Sequence, residues 1–138
     1  MHPVAVALLV STAAYLGFQA TIRWIVYPQF ARVPAPAFAE YERRHQRAVT
    51  PVVGVLFAAE VVSVGLALLR GPQLPAALAA VGVATVLVTT ALAAVPQHRR
   101  LSAGFAPEAH RRLLGADSVR VGAAAVSLGA AVWYALAA

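Results

Sequence analysis

The sequence predicts an all-α integral membrane protein, an up-down bundle of four transmembrane helices forming one domain. Three observations carry that prediction. Hydrophobic residues make up 61% of the 138 and charged residues only 12%, against about 25% charged in an ordinary soluble domain. The apolar residues gather into four runs of roughly 20, the length that crosses a hydrocarbon core of about 30 Å. The basic residues fall between those runs, concentrated in alternate gaps.

The spans run over about 3–27, 50–69, 74–95 and 119–138. The first has no basic segment before it and is too long for a cleavable signal peptide. The link RGPQLP between the second and third is so short that these two must form an antiparallel hairpin. All eleven basic residues are arginine. Arg32, Arg43, Arg44 and Arg47 lie in the first gap and Arg99, Arg100, Arg111 and Arg112 in the third, whereas the middle gap has only Arg70. The positive-inside rule therefore places loops one and three in the cytoplasm and both termini outside, in a bacterial-type inner or plasma membrane. The pI near 11.1 does not point to nucleic acid, because the arginines form no separate polar module; they suit an anionic lipid surface. The absence of cysteine excludes disulfides, thiolate metal sites and cysteine nucleophiles. PAFAEYERRHQRAVTP reads as a helix continuing into span two, with Pro51 as a kink. Pro107 opens a second such helix, PEAHRRLL, which Gly115 is expected to interrupt. Both stretches read equally well as amphipathic helices lying at the membrane interface.

Polar residues inside the spans are the candidate site. Tyr15, Gln19, Arg23 and Tyr27 recur every four residues, which keeps them near one helical face with a drift of roughly 40° per step. Lipid offers such a stripe no partner, so it must look inward. Arg23 has the alternative of snorkelling to the headgroups, and Trp24 and Tyr27 suit an interfacial aromatic belt better than a ligand role. In span two, Glu60 lies at the depth of Tyr15, with Gln19 about 6 Å and Arg23 about 12 Å farther along. Tyr15, Gln19 and Arg23 are therefore its expected partners, whether Glu60 is an acid/base residue or a protonated structural anchor. At the cytoplasmic mouth His45, Gln97, His98, Asp117 and Arg120 converge. Asp117 and Arg120, three apart, can pair along one helix, and His110 reads as solvated. Two histidines could ligate haem or metal, but no ligand-spacing motif accompanies them, so neither cofactor nor metal is expected. Proton transfer by His45 or His98 suits an imidazole, which titrates near neutral pH.

The stretches WIVYPQF, FAEYERRHQRAVTPVVGVLFAAE and VPQHRRLSAGF resemble the small four-span membrane proteins grouped with the anthrone oxygenases. The resemblance covers the general layout over most of the chain. It implies a four-helix fold and a polyketide-like aromatic substrate oxidised without an obvious bound cofactor, with His45, Gln97 and His98 as site positions. Asp117-Ser118-Val119-Arg120 departs from the family, which is more aromatic near this arginine.

Three roles remain open at this point. As an enzyme on a lipophilic small molecule, an oxygenase or a proton-transfer cyclase, the chain would use Glu60 with His45 or His98 as acid and base. Arg23 or Arg120 would stabilise developing negative charge, and Tyr15, Gln19, Trp24, Tyr27 and Gln97 would complete the pocket. As a proton-coupled carrier it would work as a homodimer, given its size, with Glu60 as the coupling carboxyl. The two halves are only weakly similar and Glu60 has no counterpart, which counts against an inverted repeat. As a non-catalytic subunit it would dock a partner through Ala123, Ser127 and Ala131, a face that serves interior packing equally well.

Overall fold

The computed structural model describes residues 1–71 and 73–137, so Pro72 of the predicted hairpin link and Ala138 at the end of the predicted fourth span lie outside the described residues. Four helices are long and apolar enough to cross a membrane: α1 (Pro3–Phe30), α2 (Ala35–Leu69), α3 (Leu74–Leu101) and α4 (Pro107–Ala137). Each starts with proline in its first turn, at Pro3, Pro36, Pro75 and Pro107, where the missing N–H has no intrahelical acceptor to lose. His2 also caps α1, its Nδ1 accepting from the Val4 amide at 3.2 Å. The turns after α2 and α3 each use a glycine, Gly71 and Gly104, at φ 140°, a conformation that side-chain-bearing residues rarely adopt.

The helices outrun the predicted spans at one end. With 35 residues, α2 is about 52 Å long, so its first half projects beyond the apolar run. It passes through Pro51 and remains one helix, as read from the sequence. Gly115, in contrast, does not interrupt α4, which is continuous from Pro107 to Ala137. A glycine costs a helix about 1 kcal/mol relative to alanine. Apolar burial of Leu113 and Ala116 on either side of it offsets that cost.

Two interruptions do occur, and each has a proline as its cause. A five-residue π-helical segment, Ile22–Val26, precedes Pro28 in α1, and another, Thr90–Ala94, precedes Pro96 in α3. Proline lacks the N–H for the carbonyl four residues back and its ring crowds that carbonyl. Trp24 and Leu92 carry those carbonyls, and the wider π turn moves them aside without ending the helix.

Named contacts fix how the helices run. Ser11 and Ser63 hydroxyls meet at 2.7 Å near one end of α1 and α2, while the rings of Tyr27 and His45 lie 5.9 Å apart near the other, so the two are antiparallel. His110 Nε2 bonds the Tyr27 carbonyl at 2.7 Å and Gln19 bonds Asp117, which sets α4 antiparallel to α1. Ser127 donates to the Ala79 carbonyl at 3.3 Å and Arg120 to the Thr90 hydroxyl at 3.2 Å, which does the same for α3 and α4. The α3–α4 contact is close because Gly82 lacks a side chain; a Cβ there would stand 2.8 Å from the Ala123 carbonyl oxygen. Ser127 and Ala131 are fully buried in this seam, so the small-residue face of α4 packs inside the chain and is not free for a partner.

The core changes character along the helices. Around the termini it is small and aliphatic, with Ala5, Leu8, Ala76, Ala79 and Ala131. At the opposite end, which carries the loops 31–34 and 102–106 and most of the arginines, it is aromatic, with Tyr27, Phe30, Phe38 and Phe105. Large apolar side chains such as Val55, Leu92 and Leu136 point outward. That arrangement suits a lipid surround and not water.

Candidate functional site

Two polar networks occupy the interior, with a cavity between them. The first lies half-way along the helices. Tyr15 donates to the Gln19 side-chain carbonyl at 2.8 Å, the Gln19 amide donates to Asp117 Oδ1, and Arg120 forms an ion pair with the same oxygen. Arg120 also donates to Thr90 Oγ1, and the Thr90 hydroxyl in turn donates to the Val86 carbonyl at 2.8 Å. Asp117 is fully buried and Arg120 is 5% exposed, so each charge depends on the other for compensation.

The second network lies toward the arginine-rich end. Glu42, fully buried, meets His98 Nδ1 through Oε1 at 2.5 Å, and His98 Nε2 meets the Tyr27 hydroxyl at 2.9 Å. Gln46 holds the carboxylate in place, donating to Glu42 Oε1 at 3.0 Å and to Ser102 Oγ at 2.8 Å. A neutral His98 that gives its Nδ1 proton to Glu42 presents the Nε2 lone pair to Tyr27. This is the carboxylate–imidazole–hydroxyl order by which a base is held in one tautomer and a hydroxyl is made more reactive.

Between the networks is a cavity of about 200 Å³ lined by Gln19, Thr90, Arg120, Tyr27, His98 and Gln46, with Phe18, Ile22, Val49, Val53, Ala94 and Val95 as its apolar walls. Both π segments border it, through Ile22 of α1 and through Thr90 and Ala94 of α3. Several buried polar atoms of the two networks have no hydrogen-bond partner among the described residues, including Arg120 Nε, Asp117 Oδ2 and Glu42 Oε2. An unpaired buried donor is costly in a purely structural network and useful in one that binds something.

The structure brings Tyr15, Gln19, Tyr27, His98 and Arg120 into these networks, but it corrects the expected centre. Glu60 is buried, as predicted, yet neither carboxyl oxygen has a hydrogen-bond partner among the described residues, and it does not line the cavity. Gln19 is committed to Asp117 of α4, and Arg23 bonds Ser118 at 3.0 Å from a half-buried position. The expected Glu60–Gln19–Arg23 cluster is therefore absent. Depth along a helix fixes level but not rotation. The 40° drift per four residues carries Arg23 off the inward face, and the π segment that begins at Ile22 turns it further.

Other expectations shift as well. Tyr27 is buried against His98 and does not sit in an outer belt, whereas Trp24 is 63% exposed and lies off this cavity. His45 stacks near His98, ring centroids 5.9 Å apart, outside the cavity lining, and its Nε2 has no hydrogen-bond partner among the described residues. Gln97 is buried but lies off the cavity. His110 is not solvated: it stacks on Phe30 and bonds the Tyr27 carbonyl. Among the described residues no three His, Asp or Glu side chains converge as a metal-binding set.

Glu42, Gln46 and Thr90 are the residues of the candidate site missed from the sequence. A signal existed for Glu42. In FAEYERRHQ, Glu40 has Arg43 and Arg44 one turn on, whereas Glu42 shares its face with Phe38 and Val49, the apolar face of the helix. An acid on that face must find a buried partner.

No family model matches the chain, and no curated protein or solved structure matches it.

Proposed function

We propose that the chain is an integral membrane enzyme of the anthrone oxygenase-like kind, acting on a lipophilic, polyketide-like molecule by proton abstraction in the cavity between its helices. In this reading the arginine-rich end faces the cytoplasm and both termini face the other side, from the distribution of Arg32, Arg43, Arg44, Arg47, Arg99, Arg100, Arg111 and Arg112. The observation that carries the chemical part is the Glu42–His98–Tyr27 relay, which ends at a cavity that also exposes the Arg120 guanidinium.

The steps follow from those groups. The Tyr27 oxygen takes an acidic C–H or O–H proton from the bound molecule as its own proton passes to His98 Nε2; Glu42 stabilises the resulting imidazolium. Negative charge gathers on the substrate oxygen facing Arg120, and a fixed cation in a low-dielectric site stabilises it. The enolate carbon can then attack a carbonyl in the same molecule and lose water, which is cyclisation. Alternatively it transfers an electron to O₂ and combines with the resulting superoxide. The hydroperoxide loses water, so that CH₂ plus O₂ gives C=O plus H₂O. Glu60, the carboxyl first expected to act as acid, has no part in this scheme.

Oxygen uptake by the purified protein in lipid nanodiscs, with a hydroxyanthrone as substrate, tests the reading. The expected result is uptake above the uncatalysed rate that falls at least about 100-fold in His98→Gln and Tyr27→Phe. Uptake no faster than with heat-denatured protein, together with no cyclised product from a linear polyketone, would remove it. One observation favours a second reading, a carrier: the two halves share a helix plan, with π segments before Pro28 and Pro96. Proteoliposome counterflow of the same molecule without chemical change would select it.

A further inference from the structure

The cavity lining is buried on one side and open on the other. Gln19, Ile22, Tyr27 and Arg120, from α1 and α4, are buried, whereas Thr50 of α2 and Val95 and Arg99 of α3 are exposed. The cavity therefore opens sideways, between α2 and α3, and not along the bundle axis toward the arginine-rich end, where Phe30, Phe38 and Phe105 close the core. The mouth is itself amphipathic. Val53 and Val95 lie on its apolar side and Gln46 and Arg99 on its polar side. In the proposed membrane orientation it sits at the inner-leaflet boundary between acyl chains and headgroups.

We infer that the cavity takes its ligand from the bilayer through this lateral mouth, and that the ligand is an aromatic amphiphile whose acidic oxygen is read by Arg120. The inference deepens the proposed function and rests on its membrane reading. Arg120 is the one charged side chain at the buried end of the cavity, and its Nε has no hydrogen-bond partner among the described residues. An acidic oxygen, phenolic or enolic, answers the guanidinium charge that lines the cavity. The volume sets the rest. A dry protein cavity of about 150 Å³ holds a benzene ring, so about 200 Å³ admits a ring with its oxygen while the remainder of a larger molecule stays in the mouth. Access from lipid also explains why Thr50 and Val95 can stay uncovered: the solvent they meet is the one the ligand is dissolved in.

Equilibrium and stopped-flow binding to the full chain in phosphatidylcholine nanodiscs tests this with four probes: 2-naphthol, naphthalene, decanoate and 2-naphthol-6-sulfonate, which does not partition into lipid. The expected result is 2-naphthol binding at least ten-fold tighter than naphthalene or decanoate, with no binding of the sulfonate. Val53→Trp, which narrows the mouth without touching Arg120, should slow association at least ten-fold at unchanged melting temperature. The double variant D117N/R120Q, which removes both members of the ion pair and so strands neither, should bind naphthol and naphthalene alike. Equal binding of naphthalene and naphthol by the wild type, tight decanoate binding, sulfonate binding as fast as naphthol, or indifference to Val53→Trp would each overturn the inference. Naphthol discrimination without any oxygen uptake sinks the enzymatic reading alone. Uptake that ignores Val53→Trp and D117N/R120Q sinks only the lateral route and the role of Arg120.

Discussion

The first hairpin, α1 and α2, and the second, α3 and α4, follow one plan and differ where the chemistry lies. Each opens with a helix carrying a five-residue π segment just ahead of a Pro-Gln pair, Pro28-Gln29 in one and Pro96-Gln97 in the other. Each second helix carries a glutamate with arginines three and four residues on: Glu40 with Arg43 and Arg44, and Glu108 with Arg111 and Arg112. In that register Phe30 corresponds to His98, and Glu42 to His110. The corresponding residues also meet in space. Phe30 stacks on His110 with ring centroids 6.2 Å apart, while His98 bonds Glu42 at 2.5 Å. One crossing is thus filled by ring packing and its counterpart by a buried hydrogen-bonded relay. The packed version shows that the fold does not need a charge at this place. The relay is an addition that the architecture tolerates, which is why it and not Glu60 is assigned the chemistry.

The sharpest way to break the comparison is to give the second crossing the residues of the first. His98→Phe made together with Glu42→His reproduces the Phe30–His110 crossing and strands no buried carboxyl, so it should leave the helices assembled but lower kcat/KM for the proposed reaction by about 10²–10⁴. Steady-state oxygen uptake beside a melting curve checks both parts. Retained activity would return the relay to a structural role.

The next largest effect concerns the pair that has no counterpart in the first hairpin. Asp117→Ala leaves the Arg120 charge buried and uncompensated, a change that costs about 3–5 kcal/mol. D117N/R120Q should cost much less, because it removes both charges together. Denaturant titration in detergent, with all three proteins side by side, reads the difference. Equal losses in the single and double variants would mean that the ion pair is not the stabilising contact.

A smaller effect separates the two seams. At Gly82 an added Cβ would approach the Ala123 carbonyl oxygen to 2.8 Å, so Gly82→Ala should force α3 and α4 apart at a cost of about 2 kcal/mol. Gly54 of α2 has nothing within 4 Å of the same added atom, and Gly54→Ala should be neutral or slightly stabilising. Thermal unfolding in one detergent, read for both, decides it.

These features were unequally legible in the sequence. Four helices follow from apolar length alone, because runs of roughly 20 residues admit few other folds. The helical extension of α2 was legible too, since nothing in FAEYERRHQRAV breaks a helix and Pro51 follows a stretch long enough to propagate through it. Rotation about the helix axis was not. It decides that Gln19 meets Asp117 and not Glu60, and it depends on π segments whose length the prolines at 28 and 96 do not themselves state. Asp117 and Arg120 could be paired from their spacing, but that Gln19 and Thr90 join the pair from other helices is a fact of packing. Glu42 was the most recoverable omission, because its helical face is apolar.

The smallest predicted effect reverses an expectation about Glu60. Had it anchored Gln19 and Arg23, Glu60→Leu would strand both and destabilise the bundle. In the structure those residues are already satisfied by Asp117 and Ser118, and both Glu60 oxygens are buried without a hydrogen-bond partner among the described residues. An unsatisfied buried polar group costs folding free energy that an apolar residue of similar size does not. Glu60→Leu should therefore raise stability, by about 1 kcal/mol once imperfect packing of the new side chain is allowed for. Glu60→Gln, which keeps the burden of an unpaired polar group, should leave stability near wild type. Turnover should change little in either, since no atom of Glu60 reaches the cavity. Parallel denaturant titrations and oxygen-uptake assays give the answer. A loss of turnover in Glu60→Gln with the fold intact would restore this carboxyl to the site and move the centre of chemistry half-way along the helices, away from the crossing that distinguishes the two hairpins.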